Sequence, residues 1–218
     1  MFIGHFAVAF GMKRVAPEVN LGTAILAVTF LDVIWPLLVA TGIEVVRIDP
    51  GSPFSHLRFV SYPFSHSLAM AIVWGTAFAA VYRWRGGARH GALWLALAVI
   101  SHWFLDLIVH QPDLQVLPEV DVYVGLGLWN SLPATLAVEG LLFAGGLGLY
   151  LSSTRASDHI GRWAVWGLVA LLLVSYVAAV FSAPPDVTAI VIADIVGTTV
   201  AVLLGGWADL HRQPITNR

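Results

Sequence analysis

His102, Asp106 and His110 recur at four-residue intervals in the run Ser101-His102-Trp103-Phe104-Leu105-Asp106-Leu107-Ile108-Val109-His110. A helix carries positions i, i+4 and i+8 on one stripe. An imidazole and a carboxylate one turn apart can close on a single cation, as helical zinc motifs do. At 1.5 Å of rise per residue, i to i+8 spans about 12 Å, so His102 and His110 do not readily share one ion. Asp106 stands between them. That spacing suits two metals about 3.5–4 Å apart with a bridging carboxylate, the arrangement that clamps both oxygens of an in-line phosphoryl displacement. The chain has no cysteine, which leaves metal chemistry to His, Asp, Glu and Asn.

These residues must be positioned by membrane helices. Of the 218 residues 58% are hydrophobic and 11% charged, whereas a soluble domain carries about 25% charged residues. A span needs about 20 mostly apolar residues, and six stretches qualify: 21–43, 64–84, 91–110, 126–151, 162–181 and 187–207. The expected fold is all-α, a polytopic transmembrane helical bundle of about six spans plus a short amino-terminal half-helix. Residues 1–12 are too short to span and are expected to dip to mid-depth and emerge at Lys13. They lack a basic n-region and a small-residue cleavage site, so the segment reads as retained structure with Met1 as its start. Residues 1–151 form the metal-site bundle and 152–218 add two further transmembrane helices within a single membrane domain.

Lys13 and Arg14, then Arg83, Arg85 and Arg89, then Arg155 and Arg162, then Arg212 and Arg218 all fall on one side of this arrangement. The positive-inside rule makes that side, with both termini, cytoplasmic. Asp113, Glu119 and Asp121 then lie outside. In that frame Asp32, His66, His102, His110 and Asn130 occupy the outer half of the membrane, and His5 reaches the same layer. Ionisable groups inside spans are costly and mark function by default. A single intramembrane histidine is more often a hydrogen-bond partner between helices, but the stripe as a unit favours metal. The ligand set is His5, Asp32, His66, His102, Asp106 and His110, with Asp32, Asp106 and His66 at the centre of catalysis.

Asn130 and Glu139 are supporting or substrate-contacting residues, set about 180° apart around their helix. Arg47 and Arg58, on the outer loop, suit a phosphate or lipid headgroup. His66, at a helix start after Pro63, lies beside backbone donors able to help hold a phosphate. Asp194 stands alone in its span and is read as structural, bonding to Ser175 or Tyr176. His56, His90, His159 and His211 show no partner pattern.

At Met1-Phe2-Ile3-Gly4-His5-Phe6, Phe30-Leu31-Asp32, Tyr62-Pro63-Phe64-Ser65-His66-Ser67, Ser101-His102-Trp103 with Asp106 and His110, and Gly127-Leu128-Trp129-Asn130-Ser131, the chain resembles a family of bacterial inner-membrane proteins. They are described as metal-dependent hydrolases of the LexA-binding inner-membrane type. The ligand order is also similar to that of zinc-dependent phospholipase C and the related single-strand nucleases, which are helical trinuclear zinc phosphodiesterases. The resemblance implies that Asp32, His66, His102 and Asp106 hold a first zinc, with Asp106 bridging. It assigns His110 to a second zinc, and His5 with the amino-terminal group to a third. The pattern breaks where those enzymes use His-xxx-Glu, because this chain has Thr135-xxx-Glu139, and where they begin at a processed Trp.

The function expected from all this is a membrane-embedded, metal-dependent hydrolase of phosphate esters, acting on a lipid or lipid-linked substrate in the bacterial inner membrane. The cofactor is a divalent metal, zinc by resemblance, as one to three ions. A transporter or ion pathway built on the same cluster, and a non-catalytic scaffold with a structural metal, are the alternatives. A net charge of −2 with scattered basic residues gives no footprint for nucleic acid.

Overall fold

In a computed structural model, which describes residues 1–51, 54, 56–182 and 186–215, the chain is mostly helical. The first half runs α1 (Ile3–Val15), α2 (Leu21–Val28), α3 (Phe30–Ala40), β1 (Val45–Ile48), β2 (Leu57–Ser61), α4 (Pro63–His66), α5 (Leu68–Trp84) and α6 (Arg89–Val109). It continues through β3 (Leu114–Gln115), β4 (Tyr123–Val124), α7 (Leu132–Ser153), β5 (Thr154–Ala156), α8 (His159–Phe181), α9 (Val187–Leu210) and β6 (Arg212–Pro214). The strands pair only as antiparallel two-stranded ribbons, β1 with β2, β3 with β4 and β5 with β6.

Helix starts follow side chains that accept the free amides of the first turn. Asn20, Ser67, Ser131, Asp158 and Asp186 do this for α2, α5, α7, α8 and α9. Breaks are equally local. The stretch 21–43 does not form one straight helix, because Thr29 leaves helical geometry at φ −102°, ψ 10° and α2 and α3 meet at a bend of 52°. The stretch 64–84 splits at Ser67, whose extended backbone separates α4 from α5. In 126–151 the helix begins only at Leu132, since Gly127 turns at φ 71° and a proline occupies the first helical turn. Among the described residues four helices, α6 to α9, are each long and apolar enough to cross a membrane, and the bent α2–α3 pair makes up to a fifth. α5 is apolar but has 17 residues. Large apolar side chains stand exposed along these helices, Leu141 at 74%, Val174 at 69% and Leu203 at 67%, a surface suited to lipid rather than water.

α1 has 13 residues, about 20 Å, too short for a span. It is nonetheless buried along most of its length, packed against α7, α2 and α6. Gly146 of α7 permits this approach, since a Cβ there would collide with the Ala7 backbone. At the end of α1 away from His5, Lys13 is buried. Its ammonium donates to Asp209 Oδ2 (2.8 Å) and to the carbonyls of Pro17 (3.0 Å) and Val19 (2.9 Å). Asp209 also accepts from Leu21 N (3.1 Å) and from the Tyr150 hydroxyl (2.9 Å). One carboxylate thus ties α1, α2, α7 and α9 together.

Candidate metal centre

At the other end of α1, four side chains from three segments converge. Asp32 comes from just after the α2–α3 bend, His66 from α4, and His102 and Asp106 from one face of α6. His66 Nε2 lies 3.4 Å from Asp32 Oδ1 and 3.9 Å from Asp106 Oδ2. His102 Nε2 lies 3.5 Å from Asp32 Oδ1 and 3.1 Å from Asp106 Oδ2. A tetrahedral zinc with bonds of about 2.0–2.1 Å has edges of about 3.3–3.4 Å between its ligands. Four separations among these ligand atoms, from 3.1 to 3.9 Å, are of that size. Two overlapping groups could hold a metal ion: His66, His102 and Asp106, and His5, Asp32 and His102.

The far sides of the two rings decide which nitrogen is free. His102 Nδ1 is 2.6 Å from the Val28 carbonyl, which can only accept, so Nδ1 carries the proton. In the neutral ring Nε2 is then a lone pair, fully buried, with no hydrogen-bond partner among the described residues, facing two carboxylates. For His66 the same follows through one more link. Ser65 Oγ donates its proton to Glu44 Oε2 (2.6 Å), so at 2.7 Å it accepts from His66 Nδ1, leaving Nε2 bare. Two lone pairs and two carboxylates aimed at one point repel unless a cation lies between them. The donor set and its orientation therefore fit a metal ion.

Glu44 is the residue that sequence reasoning missed. It sits in a segment read only as an outer loop, yet it is 1% exposed and accepts Phe64 N (2.9 Å), Ser65 N (2.8 Å) and Ser65 Oγ. The amides at the start of α4, expected to help hold a phosphate, are occupied by this carboxylate instead. A carboxylate behind a ligating imidazole fixes its tautomer, and losing such a partner costs about 10- to 100-fold in metal affinity. Glu44→Gln is expected to weaken zinc binding by that factor, measured by competition with a zinc-chelating dye. Unchanged affinity would show that His66 is oriented by something else.

His5 stacks on His102, ring centroids 3.7 Å apart and 6° from parallel, with Nε2 3.1 Å from Asp106 Oδ1. The Met1 nitrogen meets the same oxygen. Asp106 thus presents Oδ2 to His66 and His102, and Oδ1 to His5. Because His102 has one free nitrogen, the two groups cannot be independent sites. A second ion would share ligands through Asp106.

His110 does not join the ligand groups. Pro112 disfavours helix at Gln111, α6 ends at Val109, and His110, still bonded through its N–H to the Asp106 carbonyl, takes ψ 149°, which turns the following chain back so that Asp113 meets its ring. Nδ1 lies 3.0 Å from Asp113 Oδ1 and 3.2 Å from the Tyr62 hydroxyl. Burial, with the Asp113 carboxylate beside it, holds the Tyr62 phenol well above the ordinary tyrosine range, so it stays protonated and donates to Asp113. Asn130 lies in a short 3-10 turn, exposed, accepting from Gln111 Nε2 (2.8 Å). Arg47 and Arg58 are cross-strand partners on the β1–β2 ribbon, both exposed and outside the cavity described next. Glu139 caps α1, accepting Phe2 N (2.8 Å) and Gly4 N (3.1 Å) and so holding the turn that carries His5. Thr135 gives its hydroxyl to the Leu128 and Ser131 carbonyls.

A cavity of about 550 Å³ opens from the cluster, with Asp32, His66, Asp106 and His110 on one wall and α8 and α9 on the other. Asp194 lies in this cavity, close enough to Asp32 to feel its charge. The bond expected from it to Tyr176 is not formed, and the Tyr176 hydroxyl is buried with no partner among the described residues. No family model, curated protein or solved structure matches the chain.

Proposed function

We propose that the protein is a metal-dependent hydrolase of phosphate esters embedded in a bacterial inner membrane. Its cofactor is zinc, with Asp32, His66, His102 and Asp106 around one ion and His5 beside a further one. Both termini are cytoplasmic, the cluster faces outward, and α2–α3 and α4–α5 complete six spans. The orientation rests on the distribution of Lys and Arg, and the choice of zinc and of phosphate chemistry on the resemblance in ligand order.

The observation that carries the reading is the convergence of two imidazole nitrogens and two carboxylate oxygens at separations of 3.1–3.9 Å. A divalent ion held there supplies a nucleophile near neutral pH by acidifying water. The chain supplies the rest. Val28 and the Glu44–Ser65 pair fix the imidazoles, Asp106 joins the two halves of the cluster, and the Asp32 side chain, 31% exposed, leaves one face open to the cavity. A closed structural site would present no such face.

The 52° break beside Asp32 favours a second reading, an ion pathway through a discontinuous helix. Against it, Leu21, Ala24, Ile25, Leu95 and Val99, which pack towards the Lys13 end, are fully buried and apolar and give an ion no ligands.

The test is elemental analysis of the purified protein, followed by hydrolysis assays on soluble and lipid phosphomonoesters and phosphodiesters, with chelator and zinc restoration. Chelator-sensitive release that zinc restores is expected. Zinc-replete protein inert on the whole panel would overturn the hydrolase, and zinc flux into vesicles would install the pathway in its place.

A further inference from the structure

Resting on that reading, we infer that the cavity between α8 and α9 is the site for one alkyl chain of the substrate, which makes the substrate a lipid phosphate and not a soluble ester. The wall opposite the cluster is mostly apolar, with Ala178 and Ala179 of α8 and Ala193 and Gly197 of α9, interrupted by Ser175 and Thr198. Small side chains on both helices leave a channel where larger ones would have closed the seam.

The packing of α9 explains why the space exists. Its second half is held tightly on α2, where a Cβ at Gly22 would stand 2.8 Å from Gly206 Cα, and all of its buried residues, Ala201, Gly205, Ala208 and Asp209, lie there. None of residues 187–200 is buried. That half has the cavity on one side and exposed side chains such as Ile192 and Val196 on the other.

The occupant follows from the physics of the space. Along the apolar stretch of the cavity, away from the cluster, water finds too few partners, and leaving it empty forfeits dispersion contacts with its lining. An alkyl chain meets both conditions. The volume of about 550 Å³ falls within the range of about 300–1,000 Å³ seen for small-molecule sites. Continuity with Asp32 and Asp106 sets the register, with the ester at the cluster and the chain along α8 and α9.

The experiment uses the full chain, loaded with zinc, and hexadecyl phosphonate carrying a photoactivatable diazirine at the chain end, with adducts mapped by mass spectrometry. Labelling is expected within 171–182 and 189–198, and is expected to be lost in Gly197→Phe. A Cβ at Gly197 meets nothing within 4 Å, so the new ring occupies open space without moving backbone. Ala178→Trp blocks from the opposite helix and guards against a fold defect in the first variant. Zinc content should be unchanged in both. Labelling spread evenly over all exposed helices, or undiminished in both blocked variants, would overturn the chain site while leaving the hydrolase reading in place. Localised labelling on protein that binds no zinc would instead overturn the hydrolase and keep the chain site.

Discussion

Asp106→Asn is expected to abolish zinc retention while the helices stay assembled. Asp106 offers Oδ2 to the nitrogens of His66 and His102, and Oδ1 to His5. The substitution removes the charge and turns one oxygen into an amide whose hydrogens point at the ion. Removing a partner behind a ligating histidine costs about 10- to 100-fold in metal affinity, and loss of a carboxylate shared by three imidazoles should exceed that. A ligand that binds only the folded state raises its melting temperature, so zinc should stabilise the wild type against heat and leave Asp106→Asn unmoved. Asp32→Asn should behave alike. Glu139→Gln keeps one oxygen to accept the Phe2 and Gly4 amides and should retain zinc. If Asp106→Asn bound zinc as tightly as the parent, the cluster would not be the metal site.

Asp209→Ala should be the most destabilising substitution at the opposite end of the molecule. It strands a buried ammonium, a buried phenol hydroxyl and a buried amide at once, those of Lys13, Tyr150 and Leu21. Breaking a buried ion pair from one side costs about 3–5 kcal/mol. Unfolding in mixed micelles would measure it. The double variant Lys13→Met with Asp209→Leu should recover most of the loss, because the uncompensated charge is what is expensive. A loss under about 1 kcal/mol for Asp209→Ala would place the pair among screened surface contacts. Zinc content should survive in protein that folds, since no ligand of the cluster belongs to this tie.

The membrane character of the chain, the shortness of its first segment and the His102–Asp106 pair were legible because each depends on neighbours along the chain. Apolar runs of sufficient length and a four-residue spacing within one helix need no tertiary information. The same periodicity did not foresee the surroundings of His110, where a proline two residues on ends the helix and the turn brings Asp113 against its ring. It also carried the stretches 21–43 and 64–84 through Thr29 and Ser67, where local backbone geometry breaks them.

Composition and spacing alone therefore determined that this is a helical chain with runs apolar and long enough for membrane spans, carrying a set of His and Asp residues suited to a metal. Only the tertiary structure decided that Asp32 and His66 meet the α6 pair, that Glu44 stands behind His66, that Glu139 caps α1, and that Asp194 borders a cavity. The physical reason is that a ligand is defined by what holds its other face. The Val28 carbonyl that frees the His102 nitrogen is 74 residues away in the chain, and the carboxylate behind Ser65 is 21 residues away. No periodicity connects such positions. The packing of one helix against another does.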